Sequence, residues 1–156
     1  MQIQASIDIL SPIEGVFAYL TDADKIIQWQ TFLAKTEQLS EGAIQVGSKF
    51  RNVLRHPGFD TTGIITLELN GEVLIFEPNK RLKISAQSNI AELTVDYRLH
   101  QVEEITTLQQ SADFQLRGFL LRPIANLMHG FLLEQFQADL KNLKTLVEKE
   151  QKSNTM

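Results

Sequence analysis

Residues 123–149 read PIANLMHGFLLEQFQADLKNLKTLVEK, and this stretch decides the fold. Pro123 is its only proline and Gly130 its only glycine. As one helix rising ~1.5 Å per residue it would be about 40 Å long, enough to cross a small domain. Leu121, Ala125, Met128, Leu132, Phe136, Leu140, Leu143 and Val147 form one apolar stripe at helical spacing, the pattern of a helix packed along a sheet. In the first half a second stripe, Leu120, Ile124, Leu127 and Phe131, lies beside it, so two surfaces are expected to be covered there. Further on, Glu134, Gln137, Lys141, Lys144 and Glu148 face outward and one partner surface suffices. Residues Gln151 to Met156 are expected to form a flexible tail.

Upstream of the helix the chain reads mostly as strands. Ile3, Ala5, Ile7 and Ile9 alternate with Gln2, Gln4, Ser6 and Asp8, the signature of a strand with one buried face. Ser11-Pro12-Ile13-Glu14 reads as a capping box opening a short helix, with Ser11 as N-cap and Pro12 at the first helical position. Thr21-Asp22-Ala23-Asp24 repeats the logic for a second short helix carrying Ile26, Ile27 and Trp29. Strands are then expected at Lys35–Ser40, Ser48–His56, Gly63–Glu77, Arg81–Gln87, and over two clean alternations, Ala91–Leu99 and Leu108–Leu116. Asn70-Gly71 reads either as a hairpin turn or as a bulge in one bent strand, with the bulge preferred. This order predicts an α+β fold of six to seven strands, in which a curved antiparallel sheet buries its dry face against the long helix.

Length and composition bound what such a chain does. Its 156 residues suit one domain, taken as residues 1–150. With 15 basic against 19 acidic residues there is no basic stripe to neutralise phosphates, so nucleic acid is not expected as a partner. The absence of cysteine excludes disulfides, thiolate metal sites and cysteine nucleophiles. No stretch is long and apolar enough to span a bilayer, and the N-terminus alternates rather than running apolar, so a cytoplasmic protein is expected. Nothing in the pattern sets an oligomeric state.

Several segments together resemble a known family. They are Ile7-Asp8-Ile9, Ser11 to Phe17, Asp22-Ala23-Asp24 leading to Trp29, Gly47-Ser48-Lys49-Phe50, Phe76 to Leu82, and Leu140 to Glu148. Their order and spacing resemble the START-like helix-grip superfamily (SRPBCC), and within it the polyketide cyclase/dehydrase-like branch, from about Gln2 to Glu148. The stretch His56 to Thr62 is longer than the compact hairpin usual there, which leaves the strand register between His56 and Gly71 open. The resemblance implies a cavity between sheet and C-terminal helix that takes a lipid, polyketide or other largely apolar molecule. It does not by itself imply catalysis.

Candidate residues follow from that expected cavity. Phe17, Phe50, Phe76, Phe114 and Phe131 offer large apolar bodies, with Leu54, Leu82, Ile124 and Met128 as aliphatic neighbours; read without a cavity, most are ordinary core. Trp29 and Phe32 fall where relatives have the cavity lid, and the tryptophan there either closes the core or touches what enters. Asn52, Tyr97 and Gln110 are polar groups on dry faces, able either to orient a ligand's oxygen atoms or to bond neighbouring backbone and water. Of the histidines, His100 and His129 read as solvated, while His56 ends a strand at the expected cavity mouth and is the one weak acid–base candidate. Arg51, Arg55 and Arg98 read as wet. No metal-ligand spacing, phosphate loop or serine elbow occurs, so neither a metal nor a cofactor is expected. The sequence therefore favours a binding protein, with a cyclase or dehydratase using His56 as the alternative.

Overall fold

The computed structural model describes residues 1–55, 66–118 and 122–155, without the side chains of residues 122 and 124–126. Seven strands follow one another: β1 (Gln2–Leu10), β2 (Leu33–Gln38), β3 (Lys49–Arg55), β4 (Thr66–Glu77), β5 (Arg81–Gln87), β6 (Ala91–Val102) and β7 (Ile105–Leu116). Between β1 and β2 lie two short helices, α1 (Ile13–Thr21) and α2 (Ala23–Trp29), and α3 (Arg122–Asn154) closes the chain. All neighbouring strands are antiparallel, in the order β1-β7-β6-β5-β4-β3-β2, and the sheet is open and curved around α3, a helix-grip arrangement. His56 and the start of the expected Gly63–Glu77 strand lie outside the described residues.

The alternating segments bury the faces expected of them. Ile3 and Ile9 are buried while Gln2, Gln4, Ser6 and Asp8 are exposed, and Val95, Tyr97 and Leu99 on β6 share the dry face with Leu108 and Ala112 on β7. The β6–β7 hairpin turns at Glu103-Glu104, Glu103 taking a left-handed φ of 54°. Leu140, Leu143 and Val147 of α3 join this core together with Val16, Phe17 and Leu20 of α1.

Four local features differ from the sequence expectation, each for a physical reason. First, β4 is a single strand, but its irregularity lies between Val73 and Ile75 rather than at Asn70-Gly71. The extra residue, Leu74, shifts the inward phase from Leu69 and Val73 to Phe76, which is why Val73 to Phe76 are apolar without alternation. Second, Ser11 does not cap α1. Pro12 is the N-cap and makes no side-chain bond. Ser11 is buried with its Oγ donating to the Pro12 carbonyl (2.9 Å), and the free Ile13 N–H instead donates to Oε1 of Gln101 on β6 (2.9 Å). A Cβ on residue 15 would stand 2.7 Å from Ser11 Oγ, so Gly15 allows this packing. The second cap forms as expected, Asp22 accepting from the Asp24 N–H (2.9 Å).

Third, α3 continues to Asn154, so Gln151 to Asn154 of the segment expected to be a loose tail extend the helix. Fourth, of the described residues of its second apolar stripe, Leu127 is 81% exposed, while Phe131, 40% exposed, stacks on Phe32. The helix packs chiefly along β1, at one edge of the sheet, and the buried line through Leu140, Leu143 and Val147 meets that surface.

Candidate functional site

A cavity of ≈ 190 Å³ lies on the inner face of β2 to β6, beside the α1–α2 corner. Its walls are mostly aliphatic. Leu33, Leu54, Leu69, Val73, Leu82, Ile84, Leu93 and Val95 come from five strands, Leu20 and Ile26 from the two short helices, and Ile44 from the β2–β3 connection. Polar groups are fewer: Thr21, Gln30, Thr36, Gln38, Ser48, Asn52 and Tyr97, with Lys49 at the rim. Lys49 is exposed, and its Nζ pairs with Glu72 at 3.3 Å.

The close approach of β3 and β4 shapes one wall. Phe50 is directly opposite Gly71, and its ring lies over that residue where a Cβ would stand. Gly71 thus serves a flat ring rather than a turn. At the other end Tyr97 is buried and its hydroxyl accepts from Gln30 Nε2 (3.3 Å). Burial pushes the Tyr97 pKa well above that of a free phenol, with the nearby Asp139 charge adding to the rise and the Gln30 bond opposing it. Tyr97 is therefore a neutral hydroxyl at any physiological pH.

Behind the cavity the α2–β2 connection is fastened to α3. Asp139 is buried, and its Oδ1 accepts from the Thr31 N–H (3.2 Å), the Thr31 hydroxyl (2.7 Å) and Gln135 Nε2 (2.9 Å). Burial raises its pKa, and the bonds from Thr31 and Gln135 hold it back. Gln30 and Thr31 are thus held from two sides, one by the cavity wall and the other by the helix. Asp139 was missed among the sequence candidates, although it follows Phe136 by three residues on the buried side of α3.

Of the residues expected at a ligand site, the cavity brings together Phe50, Asn52, Leu54, Leu82 and Tyr97. The others serve elsewhere. Phe17 and Phe76 pack on each other, ring centroids 5.7 Å apart, in the core under α1. Trp29 is 1% exposed and closes the core: its Nε1 donates to the Tyr19 carbonyl (2.8 Å) and its ring meets Tyr97 edge-on. Phe32 and Phe131 stack on each other at 5.7 Å, and Met128 is half-buried on α3. Gln110 and Phe114 belong to β7, one strand beyond the described lining. Gln110 is buried between Ala5 and Tyr97, and among the described residues its Oε1 has no donor. The side chain of Ile124 lies outside the described residues. No residue of α3 is among the described lining, where the α1–α2 corner faces the strands. Further along, α3 packs on β1 and buries Leu140, Leu143 and Val147.

The remaining candidates are placed plainly. Arg51 pairs with Glu68 (2.9 Å) and Arg98 with Asp96 (3.2 Å), and both arginines are exposed, as is Arg55. His100 is exposed, and so is His129, whose Nε2 lies 3.2 Å from the Gln2 carbonyl oxygen. Among the described residues no group of three or more His, Asp or Glu could hold a metal ion, and no helix is long and apolar enough to cross a membrane.

Solved structures share this architecture. The protein TTHA0849 from Thermus thermophilus matches with a TM-score of 0.76 at 14% identity, over 94% of this chain and 97% of its own. A START superfamily protein from Mycobacterium smegmatis gives 0.74 at 14%, over 95% and 97%. The Zhui aromatase/cyclase from Streptomyces sp. R1128 gives 0.76 at 18%, over 96% and 94%. At such identities the likeness is one of fold. Among curated proteins no match is found. The model of the family described as polyketide cyclase/dehydrase and lipid transport matches residues 1–148, and the chain belongs to that family.

Proposed function

We propose that residues 1–150 act as one unit that binds or carries a small, largely apolar molecule of lipid, polyketide or isoprenoid type, in the cytoplasm. The observation that carries this reading is the aliphatic cavity beside the α1–α2 corner. An engineered apolar cavity of about 150 Å³ holds a benzene molecule. The ≈ 190 Å³ here thus accepts one ring or a short chain, and a longer molecule would leave part of its body at the mouth. Each Å² of guest surface taken from water contributes about 25 cal/mol, so contact with the walls dominates affinity.

The family description supports both this reading and a second one, a cyclase or dehydratase using the same space. The aromatase/cyclase among the similar structures supports the second reading. It requires an acid–base group at the cavity. Among the described lining residues the ionisable side chains are Lys49, paired with Glu72 at the rim, and Tyr97, kept neutral by burial, which leaves His56 as the candidate and favours binding. Native mass spectrometry of the protein purified from its own host tests the first reading. A retained mass of a few hundred daltons is expected. A bare chain mass, with no thermal stabilisation by any apolar probe, would overturn it. For an enzyme, His56→Ala should abolish turnover of a hydrophobic substrate while leaving its binding intact.

A further inference from the structure

We infer that the guest of this cavity is an uncharged molecule carrying a hydroxyl group, and that Asn52 is the residue that reads it. The inference rests on the binding role proposed above and adds the chemistry of the ligand. Asn52 lies on β3 between Phe50 and Leu54, and all three line the cavity. Its Oδ1 is out of reach of solvent and accepts no hydrogen bond among the described residues. A carbonyl enclosed without a donor is costly, and buried amides in native proteins are generally satisfied. The neighbours do not help: Asn52 is opposite Thr36 on β2 and Leu69 on β4, and Thr36 makes no bond to it. A guest can complete the amide once it turns about its last side-chain bond and brings that oxygen to the cavity that Asn52 lines.

The choice of hydroxyl follows from the amide. Its oxygen and nitrogen have nearly the same shape, so a half-turn about the last side-chain bond exchanges acceptor for donor at the cavity surface. A hydroxyl both donates and accepts, and it fits either orientation. A charged group does not belong here, because the described lining offers no free counter-charge to it. Lys49 is engaged by Glu72 at the rim, and Tyr97 stays protonated. Burying an unpaired ion among the leucines and valines of this wall is prohibitive. A neutral ring or short chain with one alcohol or phenol group meets both conditions and the volume.

The test compares p-cresol with p-xylene, which are nearly isosteric and differ in one hydroxyl for one methyl. Binding of each to the full chain is measured by isothermal titration calorimetry or by protein chemical-shift changes. p-Cresol is expected to bind roughly tenfold more tightly, about 1.4 kcal/mol, although its transfer from water is the less favourable of the two. In Asn52→Leu that preference should vanish or invert while p-xylene still binds, which also reports that the variant is folded. Equal affinities in the unaltered protein, or a p-cresol preference that survives Asn52→Leu, would overturn the role of Asn52 but leave the apolar-guest reading standing. Failure of both probes to bind would overturn both.

Discussion

Replacing Asp139 separates what a buried carboxylate does by its shape from what it does by its charge. Its Oδ1 takes three hydrogen bonds, two from Thr31 and one from Gln135. In Asp139→Ala all three are lost. Thr31 is exposed and Gln135 half-buried, so their donors can turn to water, and the cost should sit near ~2 kcal/mol rather than the sum of three charge-assisted bonds. Asp139→Asn keeps an acceptor for Thr31, and Gln135 can reverse its amide to accept from the new Nδ2. That variant should lie within ~1 kcal/mol of the parent at pH 7.5, because the lost charge was itself penalised by burial. The pH dependence then discriminates. Burial raises the Asp139 pKa above its unfolded value, so the folded chain binds the proton more tightly. Parent stability should therefore fall as pH rises from the unfolded to the folded pKa, by no more than ~1.4 kcal/mol per pH unit, and level off above it. Asparagine does not titrate. Urea melts at intervals from pH 4 to 8 should show the stability of Asp139→Asn minus that of the parent rising and then reaching a plateau. Tyr97, its charged-state neighbour in the cavity wall, remains protonated throughout and adds nothing to the curve. A difference flat in pH, or an asparagine variant as unstable as the alanine one at pH 7.5, would refute the reasoning.

Other perturbations probe the sheet and the grip. Gly71→Ala should cost ~1–3 kcal/mol by forcing the Phe50 ring toward the cavity, with weaker uptake of an apolar probe; the cost should shrink in a Phe50→Leu background, and denaturation of the two variants and their combination checks this. Asp96→Asn breaks the fork in which Arg81 Nε and a second guanidinium nitrogen donate to the carboxylate at 3.0 and 2.8 Å. The Arg81 bonds hold the Asp96 pKa below its usual value, so its stabilisation is present above the unfolded pKa and lost as pH falls through the folded one. The variant should cost about 1 kcal/mol at neutral pH, and urea melts in acid should show the deficit closing. Leu143→Ala, at a fully buried position where α3 enters the core, should cost ~3 kcal/mol by chemical denaturation, and an effect under 1 kcal/mol would contradict the grip of sheet on helix.

The architecture was legible because each element declares its own periodicity. Ile3 to Ile9, Ala91 to Leu99 and Leu108 to Leu116 alternate along single strands, and Leu140, Leu143 and Val147 repeat along a single helix, so local sequence carries the whole signal. Misreadings arise where a partner from far along the chain intervenes. Ser11 looks like a cap, yet Gln101 supplies the acceptor at that helix end from 88 residues away, freeing Ser11 to turn inward against Gly15. The run Val73 to Phe76 contains its bulge in plain view as lost alternation, but the Asn-Gly pair drew attention to the wrong position.

The site was less legible because a cavity belongs to no single element. Phe50, Asn52 and Leu54 were found through one strand's alternation, and Leu82 and Tyr97 through two others, but which inward faces meet and which are filled depends on where α3 lies across the sheet. That placement is set by the whole buried line of the helix against β1, and a pattern of apolar residues does not specify which part of a wide sheet it covers. Trp29, which its sequence position allowed either to close the core or to meet a guest, is placed in the core for a related reason. Its indole N–H needed a buried acceptor, the Tyr19 carbonyl ten residues earlier provided one, and the satisfied ring sank into the core. Asn52 is the converse case. Its Oδ1 accepts no hydrogen bond among the described residues, as is also true of Gln110 Oε1, but Asn52 lines the cavity whereas Gln110 is not among its described lining, so of the two it is the amide a guest could meet.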